Sequence, residues 1–248
     1  MSPMMMTMFR MIRKTAIYCT AILLFMCVPI KASAGMIRDT ELEIGLQTLM
    51  EPLVKAAGYP PNSVAIRIIV DPNYNAFVAG EQIIYVHSGL LLNAKSAEET
   101  IGVLAHEIGH LKAGHVPRRD AAIADANSAN ALAALAAIAV AAGGGGDAAA
   151  GVLIGGQDQA TRKLLQTIRY DEAVADEIGL SLLDKSGISA SGLRDMMQRM
   201  AAQRALPENR QSRYYQTHPA AAERLRTCLL YTSPSPRDAT LSRMPSSA

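Results

Sequence analysis

Five consecutive residues carry the most chemistry: His106-Glu107-Ile108-Gly109-His110. Histidines four apart on a helix lie one turn above each other on the same face. Two imidazoles so placed can hold one Zn²⁺, and a glutamate beside them can take a proton from water at the metal. Ile101, Leu104, Ala105, Ile108 and Leu111 make the flank of such a helix apolar. Polar groups buried there without a partner are costly, which favours a metal over a chance surface match.

A catalytic zinc takes three protein ligands and leaves one position open. The metzincin spacing needs glycine at position 113 and histidine at position 116. This chain has Ala113 and Val116, with His115 one residue early, so that spacing is excluded. Arg169-Tyr170-Asp171-Glu172-Ala173-Val174-Ala175-Asp176 offers a carboxylate instead. Glu172 and Asp176 are one helical turn apart and face the same way. Glu172 is the candidate third ligand. Asp176 is the candidate acceptor for the second N–H of a ligating histidine. The competing reading is a solvated acidic helix face, and that is the fate expected for Asp171 and Glu177. His87 and His115 are expected to be structural.

The elements that position these groups follow from periodicity. Leu42, Leu46, Leu49, Leu53 and Val54 predict a helix over 39–57, ended by Gly58-Tyr59-Pro60-Pro61. Val64–Val70, Asn75–Ala79 and Gln82–Val86 read as short strands, the last two joined by Gly80-Glu81. Ser96-Ala97-Glu98-Glu99 is a capping box, opening a helix expected to run through His115 and stop before Pro117. Further helices are expected over 121–142, over 148–183 with an interruption at Gly155-Gly156, and over 191–205. A last one starts at Pro219. The fold class is α+β and mainly helical, with a small sheet of about three strands beside the histidine-bearing helix. Ala129–Ala142 is almost wholly apolar. A close-packed helical hairpin is the default for it. A surface in segment 129–156 for peripheral membrane contact is the minority reading.

The 248 residues carry a net charge of +2, 50% hydrophobic and 19% charged residues, and three cysteines. That excludes global disorder and a disulfide scaffold, and gives no sign of nucleic-acid binding. The ends differ from the middle. Arg10, Arg13 and Lys14, an apolar run over Thr15–Ile30, and Ala32-Ser33-Ala34 read as a signal peptide over 1–34. The alternative is an uncleaved membrane anchor. From Cys228 the chain reads CLLYTSPSPRDATLSRMPSSA, which resembles a translated sequencing-adapter tail and is expected to be disordered. The middle, 35–227, contains 18 basic and 21 acidic residues, a net charge of −3, and no cysteine.

With HExxH followed by Glu172 and Asp176 on a later helix, the chain resembles the gluzincins. It is most similar to the zinc metallopeptidase family of the CAAX prenyl endopeptidases, the HtpX-type proteases and the periplasmic β-barrel assembly-enhancing proteases. The resemblance covers roughly Asp39–Arg226. It includes Asn75-Ala76-Phe77, Val86-His87-Ser88-Gly89-Leu90, His110–His115, Arg169–Gly179, His218-Pro219 and Glu223-Arg224-Leu225. The chain lacks the several long membrane spans of the first two branches and fits the exported branch. The resemblance implies a zincin-type domain with one Zn²⁺ per chain, ligated by His106, His110 and Glu172, and Glu107 as general base. It implies that His218 hydrogen-bonds the oxyanion of the tetrahedral intermediate, and that Arg224 orients the carboxylates or holds substrate. Gln82, Ile83, Ile84, Tyr85 and Val86 are the expected edge along which an extended substrate adds. Polypeptides, including misfolded outer-membrane proteins, are the implied partners, in a periplasmic quality-control or assembly task. The other reading is a periplasmic chaperone or assembly factor with latent or lost protease activity.

Overall fold

A computed structural model describes residues 36–37, 40–80, 82–203, 205–218 and 221–232. The expected signal peptide, Glu81, Pro219 and the residues from 233 onward lie outside the described residues.

Helix α1 (Thr40–Ala56) buries Leu46, Met50, Leu53 and Val54. Leu42 and Leu49, also expected on that face, are largely exposed. Strands β2 (Ala65–Ile69), β3 (Ala76–Ala79) and β4 (Ile83–His87) fall where β-branched residues predict them. A two-residue strand β1 (Met36–Ile37) adds a fourth member. The sheet order is β1-β2-β4-β3, with β2 and β4 parallel and the other two pairings antiparallel. This corrects one expectation. Ile83, Ile84, Tyr85 and Val86 are not on an edge, because β4 is hydrogen-bonded to β2 on one side and to β3 on the other. Gln82 precedes β4 in the turn. The hairpin folds β3 to the outside, so β3 is the edge on that side and β1 the edge on the other.

A short helix, α2 (Ser88–Asn93), follows the sheet. Helix α3 (Ala97–Lys112) begins as the capping box requires: Ser96 Oγ accepts from Glu99 N at 3.2 Å. Glu99 reaches back one residue further than expected, accepting from Lys95 N at 2.9 Å. Helix α3 does not continue through His115. It stops at Lys112, Gly114 turns the chain at φ 66°, and α4 (His115–Ala142) starts afresh. Glycine takes this left-handed conformation without a Cβ penalty. Pro117 is no obstacle, because the first turn of a helix leaves its amides unpaired.

Helix α5 (Gly146–Lys185) is continuous, where a break was expected at Gly155-Gly156. A Cβ on Gly156 would overlap Ala133, so glycine there serves close packing of α4 on α5. The chain ends in α6 (Ser191–Gln203), a 3₁₀ turn (Glu208–Arg210), α7 (Arg213–Thr217) and α8 (Ala221–Thr232). Helix α8 runs past the boundary expected at Cys228, and Cys228 is buried against the core.

The core gathers α1, the sheet, α3, α5 and α6 around Ile66, Ile68, Ile84, Leu104, Ile108, Leu183 and Met196. Helices α3 and α5 meet at backbone distance. A Cβ on Gly109 would overlap the Ala175 carbonyl, and one on Gly179 would lie 3.2 Å from the Ala105 carbonyl. Side chains larger than hydrogen would push the two helices apart. Gly109→Ala should therefore destabilise the protein by about 1–3 kcal/mol, measured by urea unfolding.

Candidate metal centre

Four elements converge on one point. Helix α3 brings His106, Glu107 and His110; α5 brings Asp171, Glu172 and Asp176; α7 brings Tyr214 from its first turn and His218 at its C-cap; α8 brings Arg224. All nine are buried. One ligand atom from each of His106, His110, Glu172 and His218 lies within 4.8 Å of the others. His106 Nε2 is 3.0 Å from His110 Nε2 and 3.3 Å from Glu172 Oε2. His110 Nε2 is 3.4 Å from Glu172 Oε1. His218 Nδ1 stands 2.9 Å from Glu172 Oε2 and 3.3 Å from His106 Nε2. Two imidazoles and a carboxylate, desolvated and aimed inward, are the donor set of a catalytic zinc site. The residues present fit that ion.

The groups behind the donors are as specific as the donors. Asp176 Oδ1 lies 2.7 Å from His106 Nδ1, so the carboxylate holds a proton on that nitrogen and leaves Nε2 for the metal. Arg224 grips Asp176 with two nitrogens, at 2.6 and 2.8 Å, and reaches Glu172 Oε2 at 2.9 Å. It also donates to the His218 carbonyl at 3.1 Å. One guanidinium thus ties a carboxylate behind one ligand, a second candidate ligand and the His218 backbone. Burial works against a charged Glu172, but His218 and then Arg224 outweigh it, and the carboxyl lies well below the usual range. Burial likewise opposes a charged Asp176, and Arg224 reverses the balance. Burial pushes His110 down to about 3, which keeps it neutral. Burial also raises the Glu107 carboxyl, opposed by His218 and His106.

All the candidate site residues on helices meet here: His106, Glu107, His110, Glu172, Asp176, His218 and Arg224. The strand residues do not serve as an edge. Instead β3 borders a cleft of about 430 Å³, which Phe77, Val78, Glu107, His110, Arg119 and His218 help to line. Asp171, expected in solvent, is fully buried, whereas Glu177 is exposed. Tyr214 was not foreseen. Its hydroxyl donates to Glu107 Oε1 at 3.1 Å. No local pattern announces it, since it reaches Glu107 from far along the chain.

An HExxH helix crossed by a second helix bearing glutamate and aspartate one turn apart defines a gluzincin-type zinc metallopeptidase domain. Residues 41–230 match peptidase family M48, and the chain belongs to that family. Metalloprotease LoiP of Escherichia coli K12 is 32% identical over 174 residues, covering 67% of this chain and 61% of its own length. A Vibrio cholerae protein assigned as a beta-barrel assembly-enhancing protease is 32% identical over 168 residues, 67% of this chain and 34% of that protein. The beta-barrel assembly-enhancing protease of Yersinia pestis is 26% identical over 176 residues, 70% of this chain and 35% of that protein. The chain therefore spans about a third to three fifths of these relatives.

Arg224 is the only arginine or lysine paired with Asp176 among the described residues. Arg224→Met should cost about 3–5 kcal/mol in urea unfolding with chelator present, because it removes the guanidinium that two buried carboxylates share.

Proposed function

We propose that this chain is a zinc-dependent endopeptidase that hydrolyses peptide bonds of envelope proteins, with His106, His110 and Glu172 as ligands. The observation that carries the reading is the meeting of three buried donor atoms beside Glu107. When bound, zinc polarises the scissile carbonyl and acidifies water. Glu107 takes the proton from the attacking water and delivers it to the leaving amine. The Tyr214 hydroxyl fixes the carboxylate in that position. Asp176 fixes His106, and Arg224 balances the charge behind both. An extended polypeptide adds along β3, where main-chain hydrogen bonds supply affinity without regard to sequence. Two relatives carry names that refer to beta-barrel assembly, which supports a periplasmic quality-control task and misfolded outer-membrane proteins as substrates.

His218 has two readings. It can donate to the oxyanion of the tetrahedral intermediate. Alternatively, its Nδ1 fills the fourth place among the donors and keeps the enzyme latent. The short distances to Glu172 and His106 favour the latent reading in this conformation. A chain held latent would act as a binding or assembly factor until the histidine moves.

Helix α4 is long and apolar enough to cross a membrane by length and composition, and exposes Leu132, Leu135 and Ile138. With Ile154 of α5 they offer a surface in segment 129–156 for peripheral lipid contact.

Four measurements test these statements. The purified protein should carry about one zinc per chain by elemental analysis, and a folded, zinc-free chain would exclude the enzyme. Glu107→Gln should lower casein cleavage by about 100-fold or more with zinc content unchanged. His218→Ala should raise cleavage if the histidine holds the enzyme latent, and lower it if it binds the oxyanion. For the lipid surface, Leu135→Glu should reduce co-sedimentation with phospholipid vesicles; equal sedimentation of variant and parent would remove that contact.

A further inference from the structure

Every ligand in the proposed centre has a partner behind it, and the one behind His110 is a second histidine. We propose that His115 and Asp171 form a relay that sets the tautomer and ring angle of His110, making both positioning residues for the metal. The inference rests on His106, His110 and Glu172 holding zinc.

The turn at Gly114 makes the contact. Because α3 ends at Lys112 and α4 starts at His115, the His115 ring comes back over the last turn of α3. Its Nδ1 lies 2.9 Å from His110 Nδ1, and the two rings meet edge to face at 73°. On the far side, His115 Nε2 faces Asp171 Oδ1 at 3.7 Å, an ion-pair rather than a hydrogen-bond distance, and neither atom has a hydrogen-bond partner among the described residues. Asp171 is fully buried, and its only other charged contact among the described residues is Arg118 Nη1 at 3.3 Å. Neither Asp171 oxygen has a hydrogen-bond partner among the described residues, and a buried carboxylate in that state is costly unless neighbours take up its charge.

The direction of the relay follows from donor and acceptor counts. Two facing ring nitrogens bond only if one carries the hydrogen. His110 must keep its Nε2 lone pair for the metal, so its proton sits on Nδ1 and is donated to His115 Nδ1. The proton of His115 then sits on Nε2, facing Asp171. An ionised carboxylate only accepts, so the far end permits this one arrangement. Both histidines thus look toward carboxylates of α5: His106 is bonded directly to Asp176, and His110 is bonded to a ring whose far nitrogen faces Asp171 across 3.7 Å. Asp171 precedes Glu172, so one turn of α5 supplies a ligand and orients another.

The test is the zinc dissociation constant of the purified protein, measured by competition with a chromophoric chelator. His115→Phe keeps a ring of similar shape but no acceptor. His115→Asn places a carboxamide oxygen near the position of Nδ1. His115→Phe should weaken zinc about 10–100-fold, while His115→Asn and Asp171→Leu, each of which removes only the far link, should weaken it measurably but less. Parent-like affinity in His115→Phe overturns the relay, as does a loss in His115→Asn equal to that in His115→Phe. If circular dichroism shows His115→Phe unfolded, Asp171→Leu decides: unchanged affinity overturns the proposal. A parent chain that takes up no zinc overturns the centre itself, and this inference with it.

Discussion

The site depends on α3 and α5 touching along their backbones. Gly109 lies between the two candidate ligand histidines in sequence and faces the Ala175 carbonyl; Gly179 faces Ala105. These positions are set by the spacing of the motif as much as by packing. A helix carrying His106 and His110 on one face presents residue 109 next to that face, so a bulky side chain there would hold the second helix away. Only at this separation can a carboxylate from α5 reach imidazoles from α3 without a long side chain spanning a gap. The cost is that several charges and imidazoles enter the core together. Arg224 and the Arg118–Arg119 pair at the start of α4 supply the opposite sign from two directions.

What could be read from residues alone was what depends on short spacing. His106 and His110, or Glu172 and Asp176, share a face because they are four apart, whatever the rest of the chain does. The same holds for the Ser96 cap and for the β-branched strands. Features that arise when distant elements meet were not legible. Strand β4 looked like an edge because nothing local says that β2 will pair with it across the intervening β3. Asp171 looked solvent-facing because its burial is imposed by the first turn of α4, which depends on the helix restarting at Gly114. Reading α3 as running on to His115 hid both facts at once. Tyr214 was invisible for the same reason, being placed by α7 packing over the site.

The arrangement divides labour between rigid and adjustable parts. Glu107, His106 and His110 share one helix, so their relative positions vary little. His218 sits at the C-terminal end of α7, a helix of only five residues, where φ and ψ leave helical values. A residue at such an end can be repositioned by a small change in two dihedrals. The Arg224 bond to its carbonyl links that choice to the charge balance behind the ligands.

In sequence, α4 and the first part of α5 are inserted between His106 and His110 on α3 and Glu172 further along α5. The base of the α4–α5 pair is clamped by Arg118, Arg119, Asp171 and Glu172, while its far end closes through Gly143–Gly145. The geometry of the candidate centre is therefore defined at the foot of a lever whose other end lies away from it. Turns could be added to or removed from the tip in matched pairs without moving a ligand. A fold built this way can change what it touches while leaving its chemistry alone.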